Sequence, residues 1–232
     1  WHEKDLSDFI IRDRNHPSVM MWSIGNEVLE QWSHADADTL TLAEANLILN
    51  FGHSADMLAS DDDAKSINSL LTEKLADIVR SLDDSRPVTA GCNEPSPWNH
   101  LFHSGALDII GYNYHNQNIA SVPENFPGKP FIITESNSAL MTRGYYRMPS
   151  DTMFIWPARW DIPFYDESFA CSSYENCHVP WGNTHEETLK LVRDNDFVSG
   201  QFVWTGFDYI GEPTPWNGTG TGDSGRGAIP NS

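Results

Sequence analysis

The chain is poor in basic residues: 14 Lys and Arg stand against 33 Asp and Glu, for a formal net charge of −19 over 232 residues. A surface of that sign repels nucleic-acid backbones and anionic lipid headgroups, so neither is expected as a partner. It names no ligand, because acidic surfaces also serve solubility. Cysteine is scarce. Cys92, Cys171 and Cys177 are too few for a disulfide framework and leave the compartment open between bacterial cytoplasm and periplasm. Long apolar runs are missing as well, since none approaches the roughly 20 residues that a membrane-spanning helix needs. No signal peptide is read, and any targeting segment is expected upstream of Trp1. The start at Trp1 and the polar close at Asn231-Ser232 read as the bounds of a segment from a longer protein.

Three catalytic plans are absent or weak. There is no Gly-x-Ser-x-Gly elbow for a serine nucleophile. No Gly-rich strand–helix turn is present to cradle phosphate, and Gly218, Gly220, Gly222, Gly225 and Gly227 read as a flexible loop. Cys171, Cys177, His178 and His185 are zinc-capable types, but the Cys-x5-Cys-His spacing lacks the tight knuckle of structural zinc sites. Neither a metal nor a cofactor is expected.

What is present is an alternation of helical and apolar stretches. Helices are predicted over residues 2–14, 40–49, 66–82 and 184–195. The third is the clearest, with Ile67, Leu70, Leu71, Leu75, Ile78, Val79 and Leu82 spaced at three and four. Buried strands are predicted over residues 18–24, 88–91, 107–112, 129–134 and 200–204. Short strands separated by helices indicate an α/β fold with a parallel sheet. The acidic run Asp61-Asp62-Asp63 reads as a solvated loop or helix entry, and residues 136–182 as a long irregular region.

Two of these apolar runs lead into a carboxylate: Asn26-Glu27 after the first and Thr134-Glu135 after the fourth. If the strands run parallel, those ends meet on one rim. Paired carboxyl groups on one rim suit glycoside hydrolysis, one as proton donor and the other as nucleophile or base. The alternative is that both glutamates merely start helices, where carboxylates are favoured. Glu94, Asp208 and Glu212 read as loop or substrate-side residues rather than catalysts. Nine tryptophans hint at sugar stacking and equally at core packing. Trp156, Trp160 and Trp181 either line an aglycone subsite or pack their own loop.

Several segments together resemble glycoside hydrolase family 2, which holds β-galactosidases, β-glucuronidases and β-mannosidases. They are Arg12-Asp13-Arg14-Asn15-His16-Pro17-Ser18-Val19, Trp22-Ser23-Ile24-Gly25-Asn26-Glu27, Gly111-Tyr112-Asn113-Tyr114-His115, Ile133-Thr134-Glu135-Ser136 and Phe202-Val203-Trp204-Thr205-Gly206-Phe207-Asp208-Tyr209. Gly211-Glu212-Pro213-Thr214-Pro215 resembles a bacterial β-galactosidase-like branch. The resemblance implies a TIM (β/α)8 barrel, with residues 1–232 as the C-terminal portion of one catalytic domain carrying the fourth to eighth strand–helix units. It implies a retaining, exo-acting β-glycoside hydrolase with Glu27 as acid/base and Glu135 as nucleophile. Asn26 matches the residue that holds the sugar 2-hydroxyl. Tyr114, with Tyr112 as runner-up, matches the tyrosine that hydrogen-bonds the nucleophile. Trp204 matches a wall of the sugar subsite, against the alternative of a core residue. His115 either contacts sugar or is structural.

The expected partner is a β-galactoside or related oligo- or polysaccharide, with a β-glucuronide as the alternative. A non-catalytic carbohydrate-binding protein is the rival of another class, and retention of both glutamates argues against it. Ser136-Asn137-Ser138 departs from the tyrosine-led run of better-known members, so their neighbouring metal contacts are not carried over. Self-association through open barrel edges is expected of the isolated segment, with little activity.

Overall fold

The computed structural model describes residues 1–60, 65–156, 158, 168 and 170–206, with backbone alone at 42, 43, 46, 50 and 51. The Asp61–Asp63 run, Trp160, Phe207-Asp208-Tyr209, Glu212 with its Gly211–Pro215 segment, and the late glycines lie outside the described residues. The chain divides into two compact units, residues 1–134 with 197–199, and residues 135–196 with 200–232.

In the first unit, α1 (His2–Asp13) has Glu3 and Asp5 in its first turn and Arg12 in its last, charges that suit the helix dipole. It buries Ile10, and Phe9 meets Trp22 edge-on at 5.4 Å. β1 (Trp22–Asn26) starts later than the predicted strand at residue 18. The intervening run is consumed by a turn, since Val19 N donates to His16 O, while Val19 O accepts Arg86 Nε at 2.7 Å. With those groups engaged elsewhere, the ladder begins only where Trp22 N donates to Pro87 O. Met20, read as strand core, is 63% exposed.

Helix α2 (Leu42–Leu47) opens with a Thr41/Glu44 capping box and runs into a π-helical turn at Ile48–Gly52. Helix α3 (Ile67–Leu82) is capped by Ser66, whose hydroxyl accepts Ser69 N. Its buried row is Ser69, Thr72, Ala76 and Val79, whereas Ile67 and Leu70 are exposed. The predicted apolar stripe is therefore rotated. Small side chains fill the row because α3 lies against α1, β1 and α4 (His100–His103), and close approach favours small residues there.

The remaining strands of this unit are β2 (Val88–Cys92), buried at every position, and β3 (Ile110–Asn113). After α5 (Val122–Asn125) comes the first part of β4 (Phe131–Asn137). The order is β1-β2-β3-β4, with β1, β2 and β3 parallel. Behind the sheet, Tyr112 packs edge-on against Phe131 at 5.0 Å, and Phe102 against Phe126 at 5.1 Å. At the entry to β1 and β2, Asp83 accepts Trp22 Nε1 (2.9 Å) and Arg86 Nη1 (2.7 Å), fastening the two strand starts to the end of α3.

The second unit corrects the expectation of an irregular 136–182 region. It holds a parallel pair, β5 (Phe154–Ile155) and β6 (Cys177–His178), and an antiparallel bridge from His178 to Ala139. Leu140, Trp156, Cys171, Cys177 and Val179 form a core of their own. Trp156 thus packs the loop region on itself. Helix α6 (His185–Asp194) carries a Thr184/Glu187 capping box. The second part of β4 pairs with β7 (Val198–Trp204): Ser136 Oγ donates to Phe202 O and Ser138 N to Trp204 O.

Candidate active site at the strand ends

In the register of β1 on β2, Ser23 faces Thr89 but Asn26 faces Gly91, so β1 spends one residue more than its partner. Such a bulge re-aims the side chains that follow it. Beyond it Glu27 has φ 47° and donates its N–H to Gly91 O at 2.8 Å. The short 3-10 turn that follows begins at Leu29 with Val28 as its cap, so Glu27 does not itself start a helix. Nor does Glu135, which lies inside β4 rather than at a helix entry.

Of the six non-glycine residues with positive φ among those described, five sit at strand C-terminal ends: Glu27 after β1, Tyr114 and His115 after β3, and Asn137 and Ser138 at the close of β4. Each costs about 1–3 kcal/mol and persists only where its surroundings over-determine it, which is common at functional sites. The strain marks one end of the strands, the end where α/β barrels place their chemistry.

One buried amide ties this rim together in the first unit. Asn113 Nδ2 donates to Asn26 Oδ1 (2.9 Å) and to Glu27 Oε1 (3.0 Å), while its Oδ1 accepts the Thr134 hydroxyl at 2.6 Å. The space for this cluster exists because residue 91 is glycine. A Cβ there would stand 2.6 Å from Asn26 Oδ1 and 2.8 Å from Asn113 Oδ1. Asn113 and Thr134 stand in segments of the family resemblance that imply no role for them, and Gly91 only ends a predicted strand. No pattern in the sequence singles them out.

Around the rim, Tyr112 is a core residue, with its hydroxyl donated to Pro95 O at 2.7 Å and its pKa raised by burial. The Tyr112 hydroxyl is thus engaged by the loop after β2, while Tyr114 follows β3 with φ 58° and is itself buried. His115 is held below the ordinary imidazole value by burial, against the pull of Glu94 and of hydrogen bonds with Asn93 and Asn118, so it is neutral at pH 7. Glu94 itself ties loops, accepting Trp32 Nε1 at 3.1 Å and Ser96 N at 2.9 Å. Burial drives the Cys92 thiol far above its usual range, which excludes it as a nucleophile at neutral pH.

In the second unit, Trp204 closes β7 and is 39% exposed, which is unlike a core residue. Asn137 is buried, and its Oδ1 has no hydrogen-bond partner among the described residues. Cys171 and Cys177, weighed as zinc ligands, are free thiols buried in the apolar cluster. His185 Nδ1 is engaged by Glu175 at 2.9 Å.

Comparison with known proteins meets this geometry. Residues 2–49 match the family described as glycosyl hydrolases family 2, TIM barrel domain. The chain is 78% identical over 93% of its length to "Beta-galactosidase BoGH2A" of Bacteroides ovatus. It is 26% identical over 76% of its length to a "Beta-glucuronidase" of Streptococcus agalactiae. In each case it spans 25% of the relative's own length. The crystal structure of a glycosyl hydrolase family 2 member from Bacteroides cellulosilyticus superposes with a TM-score of 0.50 at 25% identity, covering 92% of this chain and 19% of that one. The chain belongs to glycoside hydrolase family 2, and its strand–helix alternation is part of that family's TIM barrel domain.

Proposed function

We propose that the protein containing this chain is a retaining, exo-acting β-galactoside hydrolase. The observation that carries this reading is the 78% identity to a protein named as a β-galactosidase. Glu27 is the acid/base: protonated, it gives its proton to the glycosidic oxygen, and as a carboxylate it later takes one from water. Glu135 is the nucleophile that forms the glycosyl-enzyme intermediate. Asn26, whose Oδ1 already accepts from Asn113, meets the sugar 2-hydroxyl through Nδ2. By the family resemblance Tyr114 is assigned as the tyrosine that serves the nucleophile, Trp204 as a wall of the sugar subsite, and His115 as a sugar contact. The substrate is a β-galactoside or an oligo- or polysaccharide bearing one, and residues 1–232 form the C-terminal portion of the catalytic domain.

The test uses the full-length protein on nitrophenyl β-galactoside and nitrophenyl β-glucuronide side by side, with the isosteric variants Glu27→Gln and Glu135→Gln. The galactoside is expected to be cleaved. Loss of the acid/base should cost about 10²–10⁴-fold on substrates that need protonation, and loss of the nucleophile should abolish turnover. A preference for the glucuronide would favour the second reading, which the Streptococcus agalactiae relative supports. Full activity in Glu135→Gln would refute the assignment of the nucleophile.

A further inference from the structure

The acid/base reading of Glu27, on which this inference rests, leaves one matter open: a carboxyl group has two oxygens, and only one can present its proton to the substrate. Asn113 bears on that choice. Its side chain is fully buried, and Nδ2 reaches Glu27 Oε1 at 3.0 Å while also meeting Asn26 Oδ1 at 2.9 Å. The amide cannot be turned over. Reversal would set Oδ1 against Asn26 Oδ1 and withdraw the donor from Glu27 Oε1. The Thr134 hydroxyl holds the other end, donating to Oδ1 at 2.6 Å, and the missing side chain of Gly91 leaves the room. Glu27 itself is fixed through its own N–H to Gly91 O.

We infer that Asn113 is a positioning residue for proton transfer: its amide occupies Glu27 Oε1, so the transferable proton resides on Oε2. A proton on Oε1 would confront the amide N–H, whereas one on Oε2 leaves the amide bond intact. In the first half-reaction that proton passes to the glycosidic oxygen as its bond to the anomeric carbon breaks and Glu135 bonds to that carbon. In the second, a water proton returns to Oε2 as the water oxygen attacks and the bond to Glu135 breaks. Without the amide, the proton samples both oxygens and the carboxyl group rotates, so fewer encounters find the acid correctly aimed.

Leaving-group dependence in the full-length protein separates this from a merely structural role. Departure of 2,4-dinitrophenolate needs no proton, while departure of phenol does. Asn113→Ala is expected to lower kcat/KM on phenyl β-galactoside about 10- to 100-fold, a part of what general acid catalysis contributes, and on the dinitrophenyl substrate by less than about threefold. Thr134→Val, which removes the anchor and keeps the amide, should shift the same ratio by a smaller factor, and Thr134→Ser should restore it. Equal losses on the two substrates, or no loss on either, overturn the inference. If Asn113→Ala does not fold, Thr134→Val decides by the same ratio. Glu27→Gln is the reference: if it shows no such split, the acid/base assignment itself has failed rather than the role of Asn113.

Discussion

Replacing Gly91 with alanine adds one methyl group at the most crowded point of the rim. No unusual backbone angle requires glycine there, so the substitution gains about 0.4–1 kcal/mol by restricting the unfolded chain. Against this, the new Cβ would stand 2.6 Å from Asn26 Oδ1, 2.8 Å from Asn113 Oδ1 and 3.3 Å from Thr134 Oγ1. Overpacking of this kind costs about 1–3 kcal/mol. Displacing the Asn113 amide also forfeits at least one buried hydrogen bond, about 1 kcal/mol more. The balance is a destabilisation of about 1–3 kcal/mol together with loss of the fixed relation between Asn113 and Glu27.

Gly105→Ala supplies the comparison. At φ +74° with nothing within 4 Å, that site has room but the wrong backbone, so alanine there costs about 1–2 kcal/mol of strain and touches no catalytic group. In the full-length protein, urea unfolding followed by tryptophan fluorescence, with kcat/KM on phenyl β-galactoside, should show both variants destabilised and only Gly91→Ala crippled in turnover. The reasoning is refuted if Gly91→Ala loses no more activity than Gly105→Ala, or if its stability is unchanged.

Two further outcomes follow from the same structure. Asp83 accepts the Ser85 hydroxyl and N–H at Oδ1 and Trp22 and Arg86 at Oδ2; these bonds, that of the Ser85 hydroxyl foremost, hold its pKa well below the usual carboxylate range although burial opposes them. Because the folded value lies below the unfolded one, near 3.9, the stabilisation is complete above about pH 4 and is lost as pH falls towards the folded value. Asp83→Asn should therefore cost about 2–4 kcal/mol at pH 7, stranding the half-buried Arg86, and should flatten the acid limb of the stability profile; an unchanged acid slope in denaturation from pH 5 to 2 would contradict this. Residues 1–232 produced alone are expected to associate and turn over little, because among the described strands β1 and β7 end the order without a further partner and Phe202 and Val203 are exposed on β7. A monodisperse monomer in light scattering with normal turnover would sink that expectation.

Local chemistry was legible where it acts locally. The three-and-four spacing from Ile67 to Leu82 marks α3 within a residue of its observed bounds, and α1 and α6 are read as closely. The face that α3 buries was misread, since Ile67 and Leu70 are large and apolar yet exposed, while Ser69 and Ala76 fill the contact. Strand edges moved for a related reason. A strand begins where a partner offers hydrogen bonds, and Val19 has its N–H taken by a turn and its carbonyl by Arg86. The short pairing of β5 with β6 carried no periodicity at all, being two residues on each side.

By itself, then, the sequence determined α1, α2, α3 and α6 but not α4 or α5, the alternation with buried strands, and the placement of Asn26-Glu27 and Glu135 at or near strand ends. These follow from caps, periodicity and turn residues within a few positions of one another. Only the tertiary structure decided that a bulge turns Glu27 into a left-handed conformation, that Tyr112 faces the core, and that Asn113, with Thr134 and Gly91 beside it, builds the mount for a carboxylate 86 residues earlier than Asn113. A hydrogen bond across such a separation depends on strand register and on vacant space, and neither is written in any local pattern of residues.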